Sequence, residues 1–153
     1  MHCIADALLN LTQPEHLHGF TTGKSNNTHA TKQILMEMLP PILILHLKRF
    51  VYDSKNNSTL KLCKFVEYDH VLEMHADMLS KVGQKNASRY ELRGVIYHHG
   101  KMSTGGHYTC HVRLANGQWV EMDDTHLKVI DPSQVLKEKK DRQAYMLVYN
   151  QQK

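Results

Sequence analysis

Residues 90–124 read YELRGVIYHHGKMSTGGHYTCHVRLANGQWVEMDD. Tyr90 to Tyr97 alternates in polarity and predicts a strand. His98 to Gly106 holds Gly100, Gly105 and Gly106 together with Ser103 and Thr104, the composition of a loop. His107 to Leu114 predicts a second strand, with Tyr108, Cys110 and Val112 alternating against His107, Thr109 and His111. Asn116-Gly117 is a strong hairpin-turn signal. Gln118 to Met122 then returns as a third strand, which Asp123-Asp124-Thr125 ends. Three consecutive antiparallel strands make a sheet the centre of the fold.

The flanks extend the same pattern. Leu39-Pro40-Pro41 stops any helix and leads into Ile42 to Leu47, a β-branched and leucine-rich run that reads as a buried strand. Phe50 to Tyr52 and Leu60 to Phe65 predict a hairpin around Asp53-Ser54-Lys55-Asn56-Asn57. Tyr68 to Met74 is a further strand, and residues 76–89 read as a polar loop. Ile4 to Leu11 spaces its apolar residues as one helical face, ending before Pro14, and the polar stretch 15–30 reads as a loop or hairpin tip. Downstream, Leu127 to Ile130 is short and extended. Ser133 is placed to cap a short helix from Gln134 to Lys139, and Ala144 to Tyr149 is the closing strand. The sum is an α+β arrangement.

At 153 residues one domain is expected, and a 41% hydrophobic content can furnish its core. The longest apolar stretch, Leu39 to Leu47, is far short of the roughly 18 residues that cross a bilayer. The N-terminus lacks the order of a signal peptide. The expectation is an intracellular chain without membrane partners, cytoplasmic first and nuclear second. Three cysteines, Cys3, Cys63 and Cys110, describe no disulfide framework, and no Cys-x-x-Cys pair supports a zinc ribbon. The net charge of +4 is modest, and the cluster Lys137, Lys139 and Lys140 reads as a charged helix face, so no nucleic-acid partner is expected. Among the 12 histidines, His98-His99 and His107-x3-His111 are the pairs near enough to suggest a metal. In a strand, positions 107 and 111 stand roughly 13 Å apart along the chain. The expectation is therefore no metal and no cofactor.

One pair carries chemistry. The loop delivers His107 to the start of one strand, and the turn folds the next strand back so that Asp123 arrives at its far end. A two-residue turn pairs residue 107 with 126, and with a slightly longer loop Asp123 falls within about one to two residues of that register, so carboxylate and imidazole are neighbours across the ladder. A carboxylate beside an imidazole fixes its tautomer and stabilises the imidazolium, the base-and-orienter half of a nucleophilic triad. The spacing equally fits two solvated polar side chains, and alternation alone does not choose.

Four blocks carry a family resemblance. Leu39-Pro40-Pro41-Ile42-Leu43-Ile44-Leu45-His46-Leu47-Lys48-Arg49-Phe50 resembles the strand signature of ubiquitin-specific proteases. Tyr90 to Gly100, with Gly105-Gly106-His107-Tyr108, resembles their histidine box. Trp119-Val120-Glu121-Met122-Asp123-Asp124 resembles the segment holding their aspartate, and Ala144 to Tyr149 resembles their closing strand. The blocks follow the family's order over nearly the whole chain.

The resemblance implies a papain-like cysteine protease fold of thumb, palm and fingers, of which this chain supplies the C-terminal part. Residues 1–38 would be finger and thumb-adjacent, and residues 39–150 the palm. It implies thiol-dependent hydrolysis at the C-terminal glycine of ubiquitin, with ubiquitin and ubiquitinated proteins as partners. His107 is then the general base, Asp123 its orienter, and Asp124 a hydrogen-bonding support. Gly105 and Gly106 would admit the slim diglycine end of ubiquitin, with Tyr108, His98 and His99 also on the substrate side. Residues 98–104 would form a blocking loop that moves when ubiquitin binds. His46 reads as a structural residue bonded within the palm, and Trp119 and the tyrosines as core or ubiquitin-facing. Two departures stand out. Nothing in the chain matches the family's cysteine box, so an upstream segment is needed for activity and the chain alone is expected to be inactive. Segment 19–30 also lacks the cysteines by which many members hold zinc. A non-catalytic ubiquitin-binding or scaffold module and a truncated product, its palm strands left with an open apolar face, are the alternative readings.

Overall fold

The computed structural model describes residues 3–18, 30–86, 88–102, 105–137, 139 and 141–152. Helix α1 (Ile4–Leu11) opens the chain. The Cys3 sulfur caps it by accepting from the Asp6 amide at 3.3 Å. Strands β1 (Glu15–Leu17) and β2 (Ala30–Lys32) form a small antiparallel pair. The expected loop or hairpin tip between them lies outside the described residues. Strand β3 (Ile42–His46) is followed by the hairpin β4 (Phe50–Asp53) and β5 (Ser58–Lys61). Then come β6 (Val71–Glu73), β7 (Arg89–His99), β8 (His107–Arg113), β9 (Trp119–Asp123) and β10 (His126–Ile130). Helix α2 (Pro132–Val135) and the closing strand β11 (Arg142–Gln152) complete the chain.

The main sheet runs β10-β9-β8-β7-β11-β3, antiparallel throughout, with β6 added beside the start of β7. Tyr90, Leu92, Val95, Tyr97, Leu147 and Tyr149 are at most 1% exposed and form its core with Met78 and Val135. Ala5, Leu8 and Leu9 of α1 pack against this face, which explains the helical spacing of that segment. Tyrosine hydroxyls in this core find carbonyl partners: Tyr149 donates to Asp69 O at 2.8 Å and Tyr68 to Val135 O at 2.7 Å.

Several expectations change. Strand β3 is not buried: it is a sheet edge, with Ile42 56% and Ile44 60% exposed, because only its Leu43, Leu45 and Leu47 side meets the core. His46 is exposed and packs edge-on against Tyr145 at 4.6 Å instead of bonding within the palm. Strand β7 continues through His98 and His99, because both residues pair with β8 and β11. The loop therefore begins at Gly100. Asp131, not Ser133, caps α2, its carboxylate accepting from the Ser133 amide at 2.8 Å. That helix ends at Val135, so Lys137 and Lys139 follow it rather than lie on it, while Lys140 is outside the described residues. Among the described residues, no helix is long and apolar enough to cross a membrane.

Candidate active site

His107 is the first residue of β8 and Asp123 the last of β9. The turn between these strands is longer than the Asn-Gly signal predicts. Leu114 N donates to Gln118 O at 2.8 Å and Gly117 N to Leu114 O at 2.9 Å, closing a loop of residues 115–117 with Gly117 at φ +87°. The register is then Cys110 opposite Met122 and His111 opposite Glu121. Continued by one step it sets Asp123 across from Thr109, one diagonal position from His107. The imidazole bridges that diagonal: His107 Nε2 lies 2.5 Å from Asp123 Oδ1.

The pair is open to solvent, the two side chains being 44% and 48% exposed. The Asp123 hydrogen bond holds the His107 pKa above the ordinary imidazole value, with further support from the charges of Asp123 and Asp124. A neutral His107 that donates from Nε2 carries its lone pair on Nδ1, which makes Nδ1 the basic atom. Asp124 has φ +49°, a left-handed conformation that aspartate tolerates better than most residues. Its influence on His107 comes through charge. The ligand atoms of His107, Asp123 and Asp124 converge within 4.8 Å. The 2.5 Å contact is nevertheless a hydrogen-bond spacing, whereas donors on one tetrahedral zinc stand roughly 3.3 Å apart.

The neighbours sort into two kinds. His99 pairs with His107 across the ladder, the rings 5.6 Å apart, and its Nε2 meets Thr109 Oγ1 at 2.8 Å. Burial and then the adjacent His107 lower its pKa, which favours the neutral ring. Tyr108 is 50% exposed and available to a partner. His98 is only 2% exposed, so the structure moves it from substrate contact to packing: it sits edge-on to Phe50 at 5.2 Å and Tyr108 at 4.9 Å. Gly106 has φ +150°, and a Cβ there would lie 2.5 Å from both His98 Nε2 and the His99 carbonyl. Gly105 faces open space.

Sequence reasoning missed the polar cluster one pleat behind Thr109. His111 is fully buried, with Nε2 2.9 Å from Glu121 Oε2 and 3.0 Å from Arg142 Nη1, and Nδ1 3.1 Å from the Tyr97 hydroxyl. Arg142 stacks over the Tyr97 ring at 4.2 Å. The alternation of 107, 109 and 111 placed His111 on this face, and that was the available signal. Nothing local marked Arg142.

The three cysteines are free thiols. Cys110 is an odd number of residues from His107 on one strand, so the two side chains take opposite faces. Burial pushes its thiol pKa up. Cys3 caps α1, and Cys63 is exposed with its sulfur 3.8 Å from Lys61 O. Among the described residues no cysteine sulfur is hydrogen-bonded to His107.

A family model described as ubiquitin carboxyl-terminal hydrolase matches residues 10–149. Ubiquitin carboxyl-terminal hydrolase 10 of Rattus norvegicus is 41% identical over 152 residues, covering 95% of this chain and 19% of the rat protein. Probable ubiquitin carboxyl-terminal hydrolase 3 of Schizosaccharomyces pombe is 39% identical over 163 residues, covering 97% of this chain and 31% of that protein. Among solved structures, the SAGA Ubp8/Sgf11/Sus1/Sgf73 DUB module bound to ubiquitin aldehyde superposes with a TM-score of 0.81 at 30% identity, over 99% of this chain and 34% of that one. The α+β, mostly antiparallel architecture is that of the papain-like ubiquitin-specific proteases. The chain thus spans well under half the length of the relatives it matches. It belongs to the ubiquitin carboxyl-terminal hydrolase family.

Proposed function

We propose that this chain supplies the histidine–aspartate half of a thiol-dependent ubiquitin hydrolase, and that the nucleophilic cysteine comes from a segment outside it. The observation that carries this reading is the 2.5 Å contact of His107 Nε2 with Asp123 at the root of a glycine-rich loop. Asp123 holds the ring so that Nδ1 takes the thiol proton. The thiolate attacks the carbonyl carbon of the last glycine of ubiquitin, and the imidazolium gives its proton to the departing lysine amine. Water, deprotonated in turn by His107, then releases ubiquitin from the thioester. Gly105 and Tyr108 lie on the substrate side, and the blocking loop expected over residues 98–104, of which 103 and 104 lie outside the described residues, is the segment that adjusts when ubiquitin binds.

A ubiquitin-binding module without hydrolysis is the second reading, favoured by three cysteines that stand apart from His107. One assay separates the two. The chain alone should not turn over a ubiquitin fluorogenic substrate, and the enzyme that joins it to a cysteine-box segment should. Thiol-dependent turnover by the chain alone, lost in Cys3→Ala, Cys63→Ala or Cys110→Ala, would overturn the need for an outside nucleophile. Ubiquitin binding with no turnover in the joined enzyme would favour the module.

A further inference from the structure

Among the described residues, the β4–β5 hairpin shares no strand pairing with the main sheet. Three side chains are among its attachments to that sheet. Phe50 packs edge-on to His98 and Tyr145. Just before β4, Arg49 is 3% exposed and donates Nε–H to the Ala144 carbonyl of β11 at 2.9 Å. At the far end of the hairpin, Lys61 donates from Nζ to the His98 carbonyl at 2.9 Å and the Gly100 carbonyl at 2.8 Å.

Those two carbonyls flank His99, the residue paired with His107. Gly100 and Gly106 close the root of the loop: a Cβ built on Gly100 falls 3.4 Å from the Gly106 Cα. Lys61 therefore grips the chain where β7 ends and the loop begins, directly across from the residue that presents the base. It makes no ion pair with a carboxylate among the described residues, and its ammonium is held by two carbonyl dipoles. Charge-assisted bonds of this kind are about twice as strong as neutral ones. The contact is also partly withdrawn from water, which strengthens it further.

We infer that Lys61 is a positioning residue for His107: its ammonium fixes the root of the loop and so holds the His99–His107 pair that aims the imidazole. The inference rests on the assignment of His107 as the general base. It separates Lys61 from a generic surface lysine, because the two carbonyls it binds belong to the strand end and loop start that set the base, and to no substrate-facing side chain.

The test compares Lys61→Met, which keeps the chain length and removes the donors, with Lys61→Arg, which restores cationic donors. In the enzyme carrying the cysteine segment, Lys61→Met should lower kcat on a ubiquitin fluorogenic substrate about 10-fold, with KM unchanged within about twofold, since misplacing a reacting group reads on the chemical step. Lys61→Arg should recover most of that loss. In the chain itself, hydrogen exchange at the His99 and His107 amides should quicken about 10-fold in Lys61→Met, with little change at Leu92 and Leu147 in the core. Wild-type kcat in Lys61→Met, or exchange that quickens equally across the core, would overturn the inference. His107→Ala is the control: if it retains turnover, the assignment of the base fails, whereas an inactive His107→Ala beside a fully active Lys61→Met fails the role of Lys61 alone.

Discussion

At the scale of single residues, Asp123 is what holds His107. The Asp123 hydrogen bond raises its pKa, so the unprotonated base becomes available only at a higher pH than for a free imidazole. Asp123→Asn removes that charge. The acid limb of the kcat/KM profile should then move to lower pH, while kcat falls about 100-fold or more through loss of the orienting carboxylate. An NMR titration of the His107 ring in the chain alone should show the same downward shift. The two loop glycines separate as well. Gly106 is required by the protein's own interior, since any Cβ there strikes His98 and the His99 carbonyl. Gly105 meets nothing. Gly106→Ala should therefore lower both thermal stability and turnover. Gly105→Ala should leave the melting temperature within about 1 °C, and any lost activity should appear in ubiquitin processing alone.

At the scale of elements, β7 and β8 were legible because one face of each is buried and their residues alternate, and β9, with both Trp119 and Val120 buried, was legible from the turn before it. The His107–Asp123 partnership was legible because it lies within one hairpin. The turn itself was misread. Asn-Gly commonly fills a two-residue loop, but here Asn116 Oδ1 accepts from the Gln118 amide at 3.1 Å and Gly117 takes the left-handed position of a three-residue loop. That single extra residue moves Asp123 from a place opposite Cys110, where a two-residue turn would set it, to one opposite Thr109, the diagonal neighbour of His107. The run Ile42 to His46 was misjudged because a continuous apolar strand does not state how many of its faces are covered. Arg142 was invisible because its partner His111 is 31 residues away.

The His111 cluster makes a prediction at this same scale. Burial holds the His111 pKa below its ordinary value despite the Glu121 hydrogen bond, so the unfolded chain binds the proton more readily than the folded one. The contribution to stability is whole above about pH 6.5 and is lost as pH falls from there toward the folded-state pKa. His98 and His99, also depressed by burial, act in the same direction. The melting temperature should fall on acidification from pH 7 to pH 5, and His111→Gln should flatten that slope even where it lowers the starting stability.

At the scale of the whole molecule, the sheet has one covered face and one open one. Pairing partners share a face, so the register lines up Ile44, Val148, Gly94, Val112, Val120 and Val129 in one row across six strands. Its ends are bare, Ile44 at 60% and Val129 at 62% exposure, and an apolar depression of about 740 Å³ lies over Ile96, Cys110, Val112 and Val148. Between those ends Val120 is buried and Val112 and Val148 are half-buried, so the exposed apolar surface lies at the two ends of the row and in the depression, and on an isolated chain such surface promotes association. The chain alone should bind a hydrophobic dye and self-associate with rising concentration. The double variant Ile44→Lys, Val129→Lys should cut dye binding by about half without lowering the melting temperature, because neither side chain is part of the core.

The central claim is that His107, held by Asp123, is the base of a thiol-dependent ubiquitin hydrolase. Its most direct test is the turnover of a ubiquitin fluorogenic substrate by His107→Ala in the enzyme that carries the cysteine segment, with ubiquitin affinity measured on the same preparation. The expected result is a loss of kcat of about 1,000-fold or more with ubiquitin binding retained. Turnover near the wild-type rate in that variant would contradict it.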